Sequence, residues 1–222
     1  MSKLESKTRL AASSEPSPAK FVFGVDLDGV CVDFYGSLRP IAAEWLGIPE
    51  RKLTQKVTYG LPEWNLEPMG GYDPLHRFAV TQKQRFARAD PIPGAAAALR
   101  RLDQREDIRI RIITNRLFIK FFHQQAVQQT VEWLDRHGIP YWDLCLLGDK
   151  AAVGADLYID DTPHNVEALR AKDLRTIVFT NSTNRGVDPP RADNWEEVEA
   201  LVLEELANWK TRPDAERPPA GH

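Results

Sequence analysis

Short apolar runs recur along this chain, and each breaks off at polar residues. Phe21-Val22-Phe23-Gly24-Val25 ends on Asp26, and Ile108 to Ile113 ends on Thr114 and Asn115. Asp143 to Leu147 is followed by Gly148-Asp149-Lys150, and Leu157 to Ile159 by Asp160-Asp161. Thr176 to Thr180 is a further run of the same kind. Short, continuous apolar runs of this type mark strands buried on both faces. Helical stretches lie between them, and strands alternating with helices predict an α/β fold with a mostly parallel sheet covered on both faces. The carboxyl ends of parallel strands share one edge, which is where such sheets bind ligands. Residues far apart in sequence are therefore predicted to meet there.

The segment after the first strand is different in character, with Trp, Tyr, Pro and Gly interleaved with short helical stretches and no strong strand signal. Ser37 to Leu46 reads as a helix with Leu38, Ile41, Ala42 and Trp45 on one face, Pro40 fitting only in its first turn. Pro74 to Arg88 reads as another. A core over 20–34 and 91–209, interrupted by a helical insert over 35–90, is the predicted organisation. Later helices are predicted over Ala95 to Leu102, Lys120 to Arg136, Pro163 to Lys172 and Trp195 to Trp209. Gly138 is expected to cap the second of these in the left-handed conformation. The terminal stretches 1–19 and 210–222, rich in Pro and charge, are expected to be disordered tails.

Charge and cysteine usage exclude several classes of function. A net charge of -3 and a pI near 6.0 argue against binding of polymeric nucleic acid, which calls for a basic surface. No apolar run reaches the roughly 20 residues of a membrane span. Cys31 and Cys145 have no partner at metal-ligand spacing, so reduced core thiols in a cytoplasmic protein are expected. His76, His123, His137 and His164 show no zinc spacing. Trp133, Trp195 and Trp209 read as core packing.

Asp26 and Asp28, two apart on an extended chain, point the same way. Close carboxylates repel unless a cation lies nearby, and Asp160-Asp161 at another strand end adds more acid. A hard divalent cation held by oxygen ligands relieves this, and Mg2+ suits a site shared with phosphate. Asp160-Asp161 before Thr162-Pro163 could equally cap a helix. Gly29 allows a sharp turn beside a ligand. Thr114 and Asn115 offer donors for phosphate oxygens, and Lys150 is a cation placed to hold phosphate and carboxylate together.

These residues, in this order, resemble the four motifs of the haloacid dehalogenase superfamily: Asp26-Leu27-Asp28-Gly29-Val30, Thr114, Lys150 and Asp160-Asp161. The resemblance implies a Rossmann-like core with a small cap inserted after the first strand. It also implies a phosphohydrolase in which Asp26 forms an aspartyl-phosphate and Asp28 acts as general acid and then base. Mg2+ would be held by Asp26, the Asp28 backbone carbonyl and Asp160, with Asp161 supporting the metal shell or Lys150.

A narrower resemblance, to the 5'(3')-deoxyribonucleotidases, covers most of Phe21 to Leu206. It rests on Asp26 to Phe34, Pro91-Ile92-Pro93-Gly94-Ala95, Gly148-Asp149-Lys150, Leu157 to Asp161, Phe179-Thr180 and Asp193-Asn194-Trp195. It implies a small phosphorylated substrate, a (deoxy)nucleoside monophosphate, with Phe34 stacking on the base; a core aromatic is the alternative reading of Phe34. Self-association into a homodimer is an open expectation. Two positions depart from the family pattern: Thr114-Asn115-Arg116 replaces Thr-Ser-Pro, and Thr130 stands where a lysine is usual. Arg116 is the candidate to supply the missing cation to the substrate. Tyr59 and Trp64 do not align with the family's base-binding pair. A receiver-like binding protein is disfavoured by the late acidic pair and the insert, and a dehalogenase by Asp28. A phosphomutase, or a phosphatase for another metabolite, remains open.

Overall fold

A computed structural model describes residues 19–212. Six strands form one parallel sheet: β1 (Phe21–Val25), β2 (Ile108–Thr114), β3 (Asp143–Leu146), β4 (Leu157–Asp160), β5 (Thr176–Phe179) and β6 (Arg191–Ala192). Their spatial order is β3-β2-β1-β4-β5-β6. Chain order runs outward in one direction from β1 and in the other from β4. The crevice at the carboxyl ends of β1 and β4 is therefore the topological switch point, where open α/β sheets take their ligands.

Alternation along β1 serves both faces. Phe21, Phe23 and Val25 pack into a core completed by Leu99, Trp133, Val198 and Trp209, while Val22 joins Ile113, Tyr158 and Leu169 opposite. The first face is covered by α4 (Ala95–Asp103), α5 (His123–His137) and α7 (Trp195–Thr211). The second carries α6 (Pro163–Arg170). Gly138 caps α5 at φ 60 in the left-handed conformation, as expected for a glycine just before Ile139-Pro140. Trp133, Trp195 and Trp209 are all core residues. The two-residue β6 is too short to leave a period in the sequence.

Residues between β1 and α4 build a second apolar cluster of their own, with Leu38, Ala42, Leu61, Trp64, Leu75 and Ala79 at its centre. Two expectations about this segment need correction. Helix α1 spans Phe34–Leu46, so Pro40 lies in its interior and not in its first turn. The start moves back because the Asp33 side chain accepts from Gly36 N at 2.9 Å and caps the helix earlier. The single helix expected over Pro74 to Arg88 is two, α2 (Tyr72–Thr81) and α3 (Arg85–Arg88), broken where Gln84 turns to φ 53. α5 also begins later than Lys120, after Phe121 at φ 62. α7 continues to Thr211, and residues 1–18 and 213–222 of the two expected tails lie outside the described residues. No helix among the described residues is long and apolar enough to cross a membrane.

Candidate active site

The loop after β1 is shaped by its own backbone. Cys31 N and Val32 N both donate to Leu27 O, and Gly29 N donates to Val32 O at 2.9 Å. Gly29 turns the chain at φ 89, a conformation costly for residues with a side chain. Trp195 Nε1 donates to Val30 O at 2.9 Å and anchors the loop to α7. Asp26 and Asp28 are thereby held at the switch point, beside the acids that end β4.

Lys150 lies buried in a single 3₁₀ turn after β3. Its Nζ is 2.7 Å from Asp26 Oδ1 and 2.5 Å from Asp160 Oδ2. Asp160 also accepts from Thr162 N at 2.9 Å and from Asn165 Nδ2 at 3.2 Å. Asp161 accepts from Asn181 Nδ2 at 2.8 Å, and its carbonyl oxygen from Asn184 Nδ2 at 2.7 Å. Asp26, Asp160 and Asp161 each offer an oxygen within 4.8 Å of the others.

One ammonium does not neutralise that many buried carboxylates. Burial, with repulsion from Asp160 and against the pull of Lys150, raises the Asp26 carboxyl to about 7. Burial together with Asp160 and Asp26 pushes Asp161 well above the usual carboxylate range. Burial opposes the charge on Lys150, but Asp26 and Asp160 outweigh it and hold the ammonium protonated. Three converging hard oxygen donors carrying excess negative charge fit a hard divalent cation.

Asp28 sits apart from that cluster. Burial alone would raise its carboxyl, but Arg116 and then Arg85 reverse the effect and hold it near 2. Arg116 donates through Nε to Oδ2 at 2.8 Å and through Nη2 to Oδ1 at 2.9 Å. Arg85 Nη1 lies 3.7 Å from Oδ1.

Above these groups opens a cavity of about 370 Å³. Asp26, Asp28, Lys150 and Asp161 line its floor with Thr114 and Asn115 from the end of β2. Phe34 and aromatic residues of the inserted segment, Tyr59 and Tyr72 among them, form much of the rest, and Phe118 adds to them from the loop after β2. Phe34 lines this cavity, yet its ring also carries the Arg85 guanidinium at 3.9 Å and meets the Tyr35 ring edge-on, with the ring centroids 5.1 Å apart. Tyr59 is exposed on the cavity wall, whereas Trp64 is buried in the insert's own core. Arg116 is 1 % exposed and packs behind Asp28, between Thr130 and the Phe86 ring, not on the cavity wall.

Sequence reasoning missed Arg85, Asn165, Asn181 and Asn184. Asn181 lies two residues beyond the end of β5, so the rule that polar residues follow strand ends could have found it. Arg85 and Asn165 sit within helices, where nothing in the local pattern marks an inward-facing polar side chain.

Comparison with known proteins extends these observations. The family model described as 5' nucleotidase, deoxy (pyrimidine), cytosolic type C protein matches residues 20–208. A provisionally named 5'(3')-deoxyribonucleotidase of Chlorobaculum tepidum is 53% identical over 192 residues, covering 86% of this chain and 95% of its own. The human 5'(3')-deoxyribonucleotidase of cytosolic type is 30% identical over 189 residues, covering 78% of this chain and 90% of its own. Among solved structures, a haloacid dehalogenase-like hydrolase from Streptococcus pneumoniae superimposes with a TM-score of 0.53 at 16% identity, covering 82% of this chain and 98% of that one. That likeness speaks to the fold.

Proposed function

This chain belongs to the 5' nucleotidase, deoxy (pyrimidine), cytosolic type C family, and we propose that it is a Mg2+-dependent phosphohydrolase cleaving deoxyribonucleoside monophosphates through Asp26. The observation that carries this reading is the meeting of Asp26, Asp160 and Asp161 within 4.8 Å, with Lys150 between Asp26 and Asp160. Reduced Cys31 and Cys145 support a cytoplasmic setting. Residues 35–90 act as the cap, since their aromatics wall the cavity above the acids.

In the first step an Asp26 carboxylate oxygen attacks phosphorus and the bond to the ester oxygen breaks, leaving an aspartyl-phosphate. Asp28 supplies the proton that the departing oxygen needs. In the second step water attacks phosphorus, its proton passes to Asp28, and phosphate leaves with Asp26 restored. Arg116 favours the carboxylate form of Asp28. That suits water activation directly, and the proton for the first step is taken up against the same pairing. Thr114, Asn115 and Lys150 hold the phosphate oxygens, and Lys150 keeps the nucleophile oriented. Asp26 and Asp160 would hold Mg2+ together with Asp161 or the Asp28 carbonyl, and the ion would supply neutralisation of the phosphate charge.

The test is a panel of phosphate esters assayed with Mg2+ and with EDTA, including dUMP, dTMP, purine nucleotides and sugar phosphates. Metal-dependent turnover with deoxynucleotides preferred is expected. A preference for sugar phosphates would overturn the substrate, and full activity in EDTA would overturn the metal.

A further inference from the structure

Asp28 has surroundings unlike those of the other acids, and the role inferred for its neighbour Arg116 rests on Asp28 being the acid and base of the proposed reaction. Arg116 grips it with two parallel hydrogen bonds of 2.8 and 2.9 Å. A planar fork of this kind fixes both the place and the rotation of a carboxylate. The fork is itself held. Arg116 Nη1 donates to Thr130 Oγ1 at 3.2 Å, and that hydroxyl donates to Ala126 O at 2.7 Å. The Phe86 ring lies 4.3 Å from the guanidinium carbon. Arg85, from the inserted segment, brings a second guanidinium to 3.7 Å and donates through Nη2 to Phe34 O at 3.1 Å.

Burying a guanidinium is expensive, and its pairing with a carboxylate often only offsets the lost hydration. Stability is thus a weak reason for this arrangement. A carboxylate oxygen has about two lone-pair directions, and the fork occupies one on each. Asp28 keeps the others on the cavity wall, where it is still partly exposed.

We propose that Arg116 is the positioning residue that aims Asp28 at the water attacking the aspartyl-phosphate, and that it does not bind the substrate phosphate. Thr130 and Phe86 form its seat. The cation brought by Arg116 then acts on the base and not on the transferring group.

The two roles separate with p-nitrophenyl phosphate, whose leaving group departs without a proton. For this ester kcat/KM reports formation of the aspartyl-phosphate, while kcat includes its hydrolysis. In Arg116→Met, kcat should fall roughly 30-fold or more, approaching the roughly 10²–10⁴-fold that a general base contributes. KM should fall with it, leaving kcat/KM within about threefold of wild type, and a stoichiometric burst of p-nitrophenolate should appear. Adding Arg116→Met to Asp28→Asn should cost less than about a further threefold, because the two residues act as one unit. Arg116→Lys keeps the charge without the fork, and should show the same split if the methionine variant does not fold. Equal losses in kcat and kcat/KM without a burst would overturn the proposal and point to a phosphate ligand or a purely structural residue. Wild-type protein that fails to turn over the ester with Mg2+ would sink the hydrolase reading and this inference with it. Wild-type turnover with no split in the variants would sink this inference alone.

Discussion

Gly29 lies directly against the Asp161 carboxylate: a β-carbon added at Gly29 would fall 2.0 Å from Asp161 Oδ2. The loop after β1 and the acid that follows β4 are thus packed through a missing side chain. Asp161 is also tied to Asn181 by a 2.8 Å hydrogen bond, so it cannot simply swing aside. The positive φ of Gly29 adds a second reason for glycine.

Gly29→Ala should accordingly cost stability and activity together. The backbone penalty is about 1–2 kcal/mol, and displacing Asp161 disturbs the acidic cluster besides. Denaturant unfolding should show that loss, and Mg2+ titration of the activity should show weaker apparent metal affinity. An alanine variant with unchanged metal dependence would argue against Asp161 serving the cation.

Asp26→Asn should abolish phosphatase activity, by at least about a thousandfold, because an amide is no nucleophile at phosphorus. The fold should survive, since Lys150 keeps its 2.5 Å contact with Asp160. Circular dichroism and thermal melting check the fold, and p-nitrophenyl phosphate checks the chemistry. Retained turnover in a folded variant would remove Asp26 from the mechanism.

Lys150→Met tests the balance of charge in the cluster. It strips the cation that touches both Asp26 and Asp160, and an uncompensated buried carboxylate typically costs about 3 kcal/mol. Mg2+ bound to the native state should return part of that stability by mass action. Thermal melting with and without Mg2+ should therefore show a larger rise on adding metal in the variant than in the wild type. An equal rise in both would mean that lysine and metal do not share the same carboxylates.

How much of the site was legible in the sequence differs between elements for physical reasons. Asp26, Thr114 and Asp160 stand at strand ends, and a parallel sheet brings all such ends to one edge, so their meeting follows from local patterns. Lys150 follows by the same rule one loop further on. Pro40 misled because its usual place in a first turn is a preference, and the Asp33 cap overrode it. The break at Gln84 left no mark, since nothing in Gln82-Lys83-Gln84 disfavours a helix strongly. Arg116 was legible as an unusual residue but not in its direction. Only the three-dimensional structure shows that it faces Asp28 and Thr130. Arg85 was not legible at all, because a buried arginine looks in sequence like any surface one.

His76 supplies a pH dependence separate from the acidic cluster. Its ring is buried against Phe118 and Phe34, and Nδ1 is 2.7 Å from the Tyr72 hydroxyl. Burial, with the positive charge of Arg85 adding to it, lowers its pKa from 6.5 to about 3. The unfolded chain therefore binds a proton below pH 6.5 that the native state refuses until about pH 3. Stability is lost as pH falls through that window, at up to about 1.4 kcal/mol per pH unit from this one group. His76→Gln keeps a polar partner for Tyr72 and does not titrate. Urea unfolding at a series of pH values from neutral to about pH 4 should show a shallower decline for the variant than for the wild type. The two slopes should coincide above pH 6.5, where the histidine is neutral in both states. Parallel slopes throughout would mean that His76 takes up its proton in the folded protein, and that the cavity wall beside it admits water.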